Sequence, residues 1–531
     1  MIILLVKNSA IKKNRAFKIY LLIAFSVLVS FASASQESVS PVLRYSVSMT
    51  DPGSHLLHVT LDVSELNMDT VELRMPRWMP GYYQIMEYSK EVRNFSAAGK
   101  NGNTIPVIST NNNAWLIIPG KNTSFSISYD ICSDKKFVAN NFLDSTHAYI
   151  VPAATFMYVS NRTDIPVSVK VIPFKSWNDI ATGLEVAAGN ENEYHAPDFD
   201  ILYDCPILIG NLDELPSFTV GGVKHRFVAY NPGNFDREGF IASLEKTVKA
   251  ATEIIGDIPY NEYTFIGIGP GAGGIEHLNN TTVSFSGGRL DNPDALKGML
   301  KFLAHEYFHH YNVKRIRPYE LGPFDYSREA RTNLLWVSEG LTVYYEYLIV
   351  RRAGLISDEE LIASLESDIN TLENDPGRMH QSLTQASFQT WSDGPFGNRS
   401  PGPDRSISYY VKGPVVGLIL DLKIRNATAN KKSLDDVMRL LYSTHYRKLQ
   451  RGFTDAEFQQ ACEEIAGISL SSEFEYVYTA REIDYSEYLS YAGLQISEEV
   501  DGSSGKSKFI ITLKEETDNL QSSIFQSWAG N

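Results

Sequence analysis

Two histidines four residues apart, in His305-Glu306-Tyr307-Phe308-His309, are the side chains best placed to do chemistry in this chain. On a helix His305 and His309 stack on one face one turn apart, and two imidazoles so arranged can grip one Zn²⁺. Glu306, next to the first histidine, can take a proton from a water that the metal activates without being a ligand itself. The pattern is short, so its surroundings decide. Asp291-Asn292-Pro293 reads as a helix start, with a capping side chain and a proline in the first turn. Leu296, Met299, Leu300 and Leu303 follow at helical spacing, and Pro318 is the expected stop. A half-buried helix with two imidazoles and a carboxylate must give each a polar partner, which points to a site rather than to packing.

A catalytic zinc takes three protein ligands and keeps a fourth position open. Glu329 and Glu339 are the candidates for the third. Glu329 falls in a polar stretch, Tyr326 to Ala330, and reads as a solvated charge in a loop. Glu339 lies in Leu334 to Glu346, a largely apolar run long enough for a buried helix, where a carboxylate needs compensation that a metal supplies. Glu339 is therefore the predicted ligand, with one zinc per chain. Glu346, two turns on along the same face, is either a partner for a ligand histidine or a surface acid.

The motif, followed by Asn312-Val313-Lys314-Arg315-Ile316-Arg317-Pro318 and then Trp336-Val337-Ser338-Glu339-Gly340, resembles the glycyl aminopeptidase family of zinc metallopeptidases. Tyr311 stands where that family usually has tryptophan. The resemblance implies a thermolysin-like α+β catalytic domain with a glutamate as third ligand. Gly271-Ala272-Gly273-Gly274-Ile275-Glu276-His277, between strand-like runs at Tyr263 to Ile268 and Thr281 to Phe285, reads by itself as a hairpin turn. It is similar to the exopeptidase segment of related aminopeptidases, which implies that Gly273 and Gly274 align the peptide and Glu276 receives its free amine. Tyr409-Tyr410-Val411-Lys412-Gly413 is similar to a Tyr-x-Lys-Gly motif whose tyrosine donates to the oxyanion. Tyr410 has the matching spacing, with Tyr409 as the fallback.

With 531 residues the chain has material for two to four domains. Lys7, Lys12, Lys13, Arg15 and Lys18, an apolar run from Ile19 and Ala32-Ser33-Ala34 read as a signal peptide over residues 1–34. The expected location is therefore periplasmic or extracellular, with no stable membrane span after cleavage. Those residues hold five positive charges and no negative one, so the mature chain goes from −15 to −20, which excludes nucleic acid as a natural partner. Cys132, Cys205 and Cys462 are too far apart for a zinc cluster or a disulfide framework and leave room for a single bridge.

Residues 40–220 alternate polar and apolar in short runs, as in Leu57 to Val63 and Phe125 to Tyr129, and predict an N-terminal all-β domain. Met75-Pro76-Arg77-Trp78-Met79-Pro80-Gly81-Tyr82-Tyr83 and Asp204-Cys205-Pro206-Ile207-Leu208-Ile209-Gly210 within it also resemble the family and read as structural turns. The catalytic domain is assigned to 222–350 and an α-helical C-terminal domain to 351–485. Its expected helices are Glu359 to Leu372, Val415 to Arg425, Leu434 to Tyr442 and Asp455 to Ile465. Trp391 to Pro403 reads as a long loop near the cleft. Relatives usually continue into a PDZ domain. Here residues 486–531, with a strand at Lys508 to Leu513, read as a partial or truncated PDZ-like tail.

The sequence thus predicts a multidomain, exported zinc aminopeptidase acting on peptides. Zn²⁺ would be held by His305, His309 and Glu339, with Glu306 as base, Glu276 on the amine and Tyr410 on the oxyanion. Small N-terminal residues such as glycine and alanine follow from the resemblance. The alternatives are a zinc endopeptidase of the same fold and a non-catalytic secreted peptide-binding protein. The residues leave the oligomeric state open.

Overall fold

The structure, a computed structural model, describes residues 42–530 except 65, 67, 112, 188, 399–404 and 501–505. The predicted signal peptide lies outside the described residues.

Among the described residues, 43–230 are all-β apart from one short α-helix, Phe199–Tyr203, and three 3₁₀ turns. The alternation read from the sequence becomes one buried and one open face. Leu57, Val59, Leu61 and Val63 of strand Leu56–Ser64 are buried, as are Phe125, Ile127, Tyr129 and Ile131 of Ser124–Cys132. The two strands pair antiparallel with Val59 opposite Tyr129 and Leu61 opposite Ile127, so both apolar sets face the same core. They belong to a seven-stranded sheet, which packs with two four-stranded sheets.

The next layer is a mixed six-stranded sheet. Val223–Ala229, Glu262–Gly267 and Asn280–Val283 run parallel, and Gly274–Glu276 joins the last of them antiparallel as the outermost strand. Helix Arg237–Ile255 makes the crossover between the first two, capped by Asp236 at its start and by Gly256 in the left-handed conformation at its end. Helices Pro293–Phe308, Leu341–Arg352 and Tyr409–Ala427 follow and pack on one another.

Two sequence expectations need correction. The metal-motif helix begins where expected, with Asn292 Oδ1 accepting from the N–H groups of Asp294 and Ala295, but ends at Phe308 rather than near Pro318. Its C-terminal turn is closed by His309, whose N–H donates to the His305 carbonyl, and Val313, a β-branched residue at φ 134°, follows in the turns beyond. The helix expected from Val415 starts at Tyr409 instead. Ser408 caps it, and Pro414 is accommodated inside.

The helical region and the mixed sheet share one apolar core, which also takes in the tail. The hairpin of Leu494–Val500 and Ser507–Leu513 docks on helix Asp358–Glu373, where the Asn370 amide makes two 2.8 Å bonds to the Phe509 backbone and Glu366 accepts from the Ile511 N–H. Helix Asn519–Ala529 buries Trp528, whose indole N–H donates to the Tyr344 hydroxyl at 2.8 Å. Among the described residues no helix is long and apolar enough to cross a membrane. The three cysteines are free thiols.

Candidate metal centre and active site

His305 and His309 project from the end of helix Pro293–Phe308, and Glu339 comes from a π-helical turn, Trp336–Gly340, that opens helix Leu341–Arg352. The wider turn is a local departure from α-geometry of the kind that re-aims a functional side chain. Asn312 holds it in place: its amide N–H₂ donates to the carbonyls of Val337 and Ser338 and to the Thr342 hydroxyl, at 2.7, 3.1 and 3.0 Å. The backbone carbonyl of the same asparagine accepts from His309 Nδ1 at 2.8 Å. One side chain therefore ties the motif to the segment that carries the third acidic group. The sequence reading named Asn312 as part of the motif but gave it no role.

The ligand atoms converge. His305 Nε2 and His309 Nε2 are 2.9 Å apart, and Glu339 Oε2 lies 3.7 and 3.2 Å from them. Each Nδ1 faces a group that can only accept, Glu346 Oε2 at 2.9 Å for His305 and the Asn312 carbonyl for His309. Both Nδ1 atoms therefore carry the proton, and both Nε2 lone pairs turn inward toward a carboxylate oxygen. Three electron-pair donors at contact distance repel one another unless a cation lies between them, and this donor set suits Zn²⁺.

The surrounding carboxylates also draw positive charge to this point, whether it is a metal ion or a proton on the imidazoles. Burial alone would depress both histidines, yet the carboxylates of Glu339 and Glu346 around His305, and of Glu339 beside His309, raise both above the usual imidazole range. Burial alone would raise Glu339, but the two histidines hold it well below the usual carboxylate range. Glu329, the other ligand candidate, lies elsewhere at the surface, paired with Arg331 at 2.7 Å.

Glu306 is 5 % exposed, and burial pushes its carboxyl up to about 7 against the opposing pull of His305 and His309. Its Oε2 has no hydrogen-bond partner. The carboxylate rests directly on the backbone of Gly274, where any side chain would overlap it. This contact requires the glycine irrespective of turn geometry.

Glu276 ends the outermost strand, is 4 % exposed, and leaves Oε1 enclosed without a partner. It borders a small chamber of about 60 Å³ that shares Gly81 and Tyr83 with a larger cleft of about 590 Å³. That cleft is lined by Gly273, Gly274, His305, Glu306, Glu346 and Tyr410, among others. Tyr410 donates to Glu339 Oε2 at 2.9 Å, and burial together with that carboxylate keeps its hydroxyl protonated. Tyr409 turns away and pairs with Thr390 at 3.0 Å.

Two segments read as structural turns do more than that. Trp78 plugs the helical core from the β domain, its indole donating to the Asp325 carbonyl at 3.0 Å. Gly81, at φ 89°, brings its backbone against Glu276, so that a Cβ there would lie 2.8 and 3.0 Å from the two carboxylate oxygens. Asp204, 5 % exposed, accepts from Lys314 Nζ at 2.5 Å, from the Leu278 N–H at 2.7 Å and from His277 Nδ1 at 3.2 Å. Burial would raise its carboxyl, but Lys314 and His277 outweigh it and hold it low. It thereby joins the β domain to both the motif's basic tail and the strand of Glu276. Only the proximity of Gly, Pro and aromatic residues hinted at this in the sequence.

Two protein-family models match the chain: the Peptidase M61 N-terminal domain over residues 44–211 and M61 glycyl aminopeptidase over residues 298–416. Among solved structures, the chain is similar to an aminopeptidase N family protein from Idiomarina loihiensis, with 27% identity, a TM-score of 0.80, and 86% of this chain and 79% of the other covered. It also shares its fold with an M1 zinc metallopeptidase from Deinococcus radiodurans, at 14% identity and TM-score 0.53 over 84% of this chain and 95% of that one. A variant of an M1 enzyme from the same organism, bound to a Tyr-Ser-Ala substrate, gives 15% identity and TM-score 0.51 over 84% and 94%. No curated protein sequence matches. With both family models in chain order and a buried zinc-type donor set inside the second region's fold, the chain belongs to the M61 glycyl aminopeptidase family and is a zinc metallopeptidase of the aminopeptidase class.

Proposed function

We propose that this exported enzyme removes small N-terminal residues, glycine and alanine above all, from peptides in the periplasm or outside the cell. Its catalytic region would be thermolysin-like, with His305, His309 and Glu339 holding one Zn²⁺ per chain. When bound, the metal supplies a Lewis acid that polarises the substrate carbonyl and makes water more acidic. Glu306 takes the proton of the attacking water and hands it to the leaving amine. A carboxyl raised by burial suits both steps, since it accepts and returns a proton near neutral pH. Tyr410, kept as a donor, stabilises the oxyanion. Gly273 and Gly274 offer the free edge of the sheet to an extended peptide.

The observation that carries the exopeptidase reading is the enclosed, partnerless Oε1 of Glu276 beneath Gly81. A buried carboxylate without a partner is costly, and a substrate ammonium supplies both charge and hydrogen bond. The chamber beside it, about 60 Å³, has room for a small first side chain only.

The test compares free and N-acetylated alanyl peptides with the zinc-loaded enzyme. Free amines should be cleaved and acetylated ones left intact, and Glu276→Ala should lower kcat/KM for free substrates by about 2 to 5 kcal/mol with zinc content unchanged. Equal cleavage of both would mean an endopeptidase. Cleavage of neither by zinc-loaded protein would leave a peptide-binding protein.

A further inference from the structure

We propose that the cleft holds the side chain of the substrate's second residue in an apolar pocket shared by the β domain and the helical region, so that peptides with an aromatic or aliphatic second residue are preferred over those with a small or acidic one. The inference rests on the aminopeptidase reading, because Glu276 fixes where the peptide begins.

Strand Gly274–Glu276 is the last of its sheet and has no strand partner on its outer side. A peptide that meets Glu276 with its amine and adds antiparallel to this edge runs back past Gly274 toward Gly273 and Ala272, at roughly 3.3 Å per residue. Its second residue then stands opposite Ile275 and Gly274, beside Gly273. Both walls of the cleft are apolar there. On the β-domain side the rings of Tyr82 and Phe137 meet edge to face at 5.2 Å, and Val138 stands over Gly273, where a Cβ would lie 3.4 Å from its methyl. The facing wall carries Phe302 and Phe396. Phe396 is 62 % exposed, and its ring centre is 5.6 Å from that of Tyr410.

A phenylalanine left this open beside an oxyanion donor is covered to advantage by an apolar side chain. The cleft also discriminates by charge. Among the described residues that line it, the acidic ones are Glu306 and Glu346, and none is a lysine or arginine. An acidic second residue meets repulsion there and no partner.

The experiment measures alanine release by the zinc-loaded full chain from four dipeptide amides, Ala-Phe, Ala-Leu, Ala-Gly and Ala-Asp. The expected kcat/KM is about 10- to 100-fold higher for Phe and Leu than for Gly, the range for burying one apolar side chain, with Asp the poorest. Phe137→Ala and Phe396→Ala should each shrink the Phe-to-Gly ratio about 3- to 10-fold. Phe396 lies on the surface, so its variant tests the pocket without endangering the core. A flat profile in the parent, or a ratio unchanged in both variants, would overturn the inference while alanine release kept the aminopeptidase reading intact. Absence of alanine release from all four by zinc-loaded protein would overturn that reading, and the inference with it.

Discussion

Gly340 and Gly413 touch: a Cβ on either would come within 2.6 Å of the other's Cα. One follows Glu339 directly and the other lies three residues after Tyr410, so the closest crossing of two helices is what brings the third candidate ligand and the tyrosine together. Gly413→Ala should force the helices apart, with a loss of about 1–3 kcal/mol in urea unfolding and reduced zinc occupancy. Gly298→Ala, on the same helix as the histidines with open space around it, should be neutral or slightly stabilising.

Zinc content separates the two acidic ligand candidates. The purified protein should hold about one zinc per chain, sharply reduced by Glu339→Ala and unaffected by Glu329→Ala, as read by metal analysis. Retention of full zinc by the Glu339 variant would remove it from the ligand set.

Glu306→Gln keeps the shape that rests on Gly274 but removes the carboxylate proposed as the base. Turnover should fall about 10²- to 10⁴-fold with zinc retained. Near-normal turnover in this variant would refute the proton-transfer role.

Asp204→Ala leaves Lys314 buried without its counter-charge, a loss of about 3–5 kcal/mol for a broken buried pair. The double variant with Lys314→Ala should cost less than the sum of the single ones, because the stranded charge is gone. Additive losses in chemical denaturation would show that the two residues act independently.

Asp368, beside Tyr347 and near Glu346, has its carboxyl pushed up to about 8, mainly by burial. An acid whose folded pKa lies above its unfolded value of 3.8 favours folding only while protonated, so the penalty grows as pH rises from 4 to 8 and then levels off. Asp368→Asn should therefore raise Tm at pH 8, and the difference should shrink toward pH 4. An equal Tm difference at both values would show that the carboxyl does not titrate in that window.

The chemistry-bearing residues were legible because their signals are local. The histidine spacing, the capping Asn292 and the apolar run around Glu339 all operate within a few residues. Burial patterns within strands such as Leu56–Ser64 were legible for the same reason. What the sequence hid is set by distance along the chain: Gly81 against Glu276, Asp204 against Lys314, and Asn312 clamping the π-turn. No periodicity marks such contacts, since each depends on how two separately formed elements meet. The helix end at Phe308 was missed because proline is a loud stop signal, whereas no glycine or proline marks the turns that follow His309 before Pro318.

The Asp204 contact also bears on the order in which the molecule comes into being. Translation delivers the β domain first, so Asp204 and Gly81 are made before the strand and loop that they contact. The two parts then complete each other, since Ile275 and Tyr326 enter the β-domain core and Trp78 enters the helical one. A fragment beginning at the mixed sheet would have the histidines and the glutamates but no surface to fold against, and its buried lysine would have to find water instead.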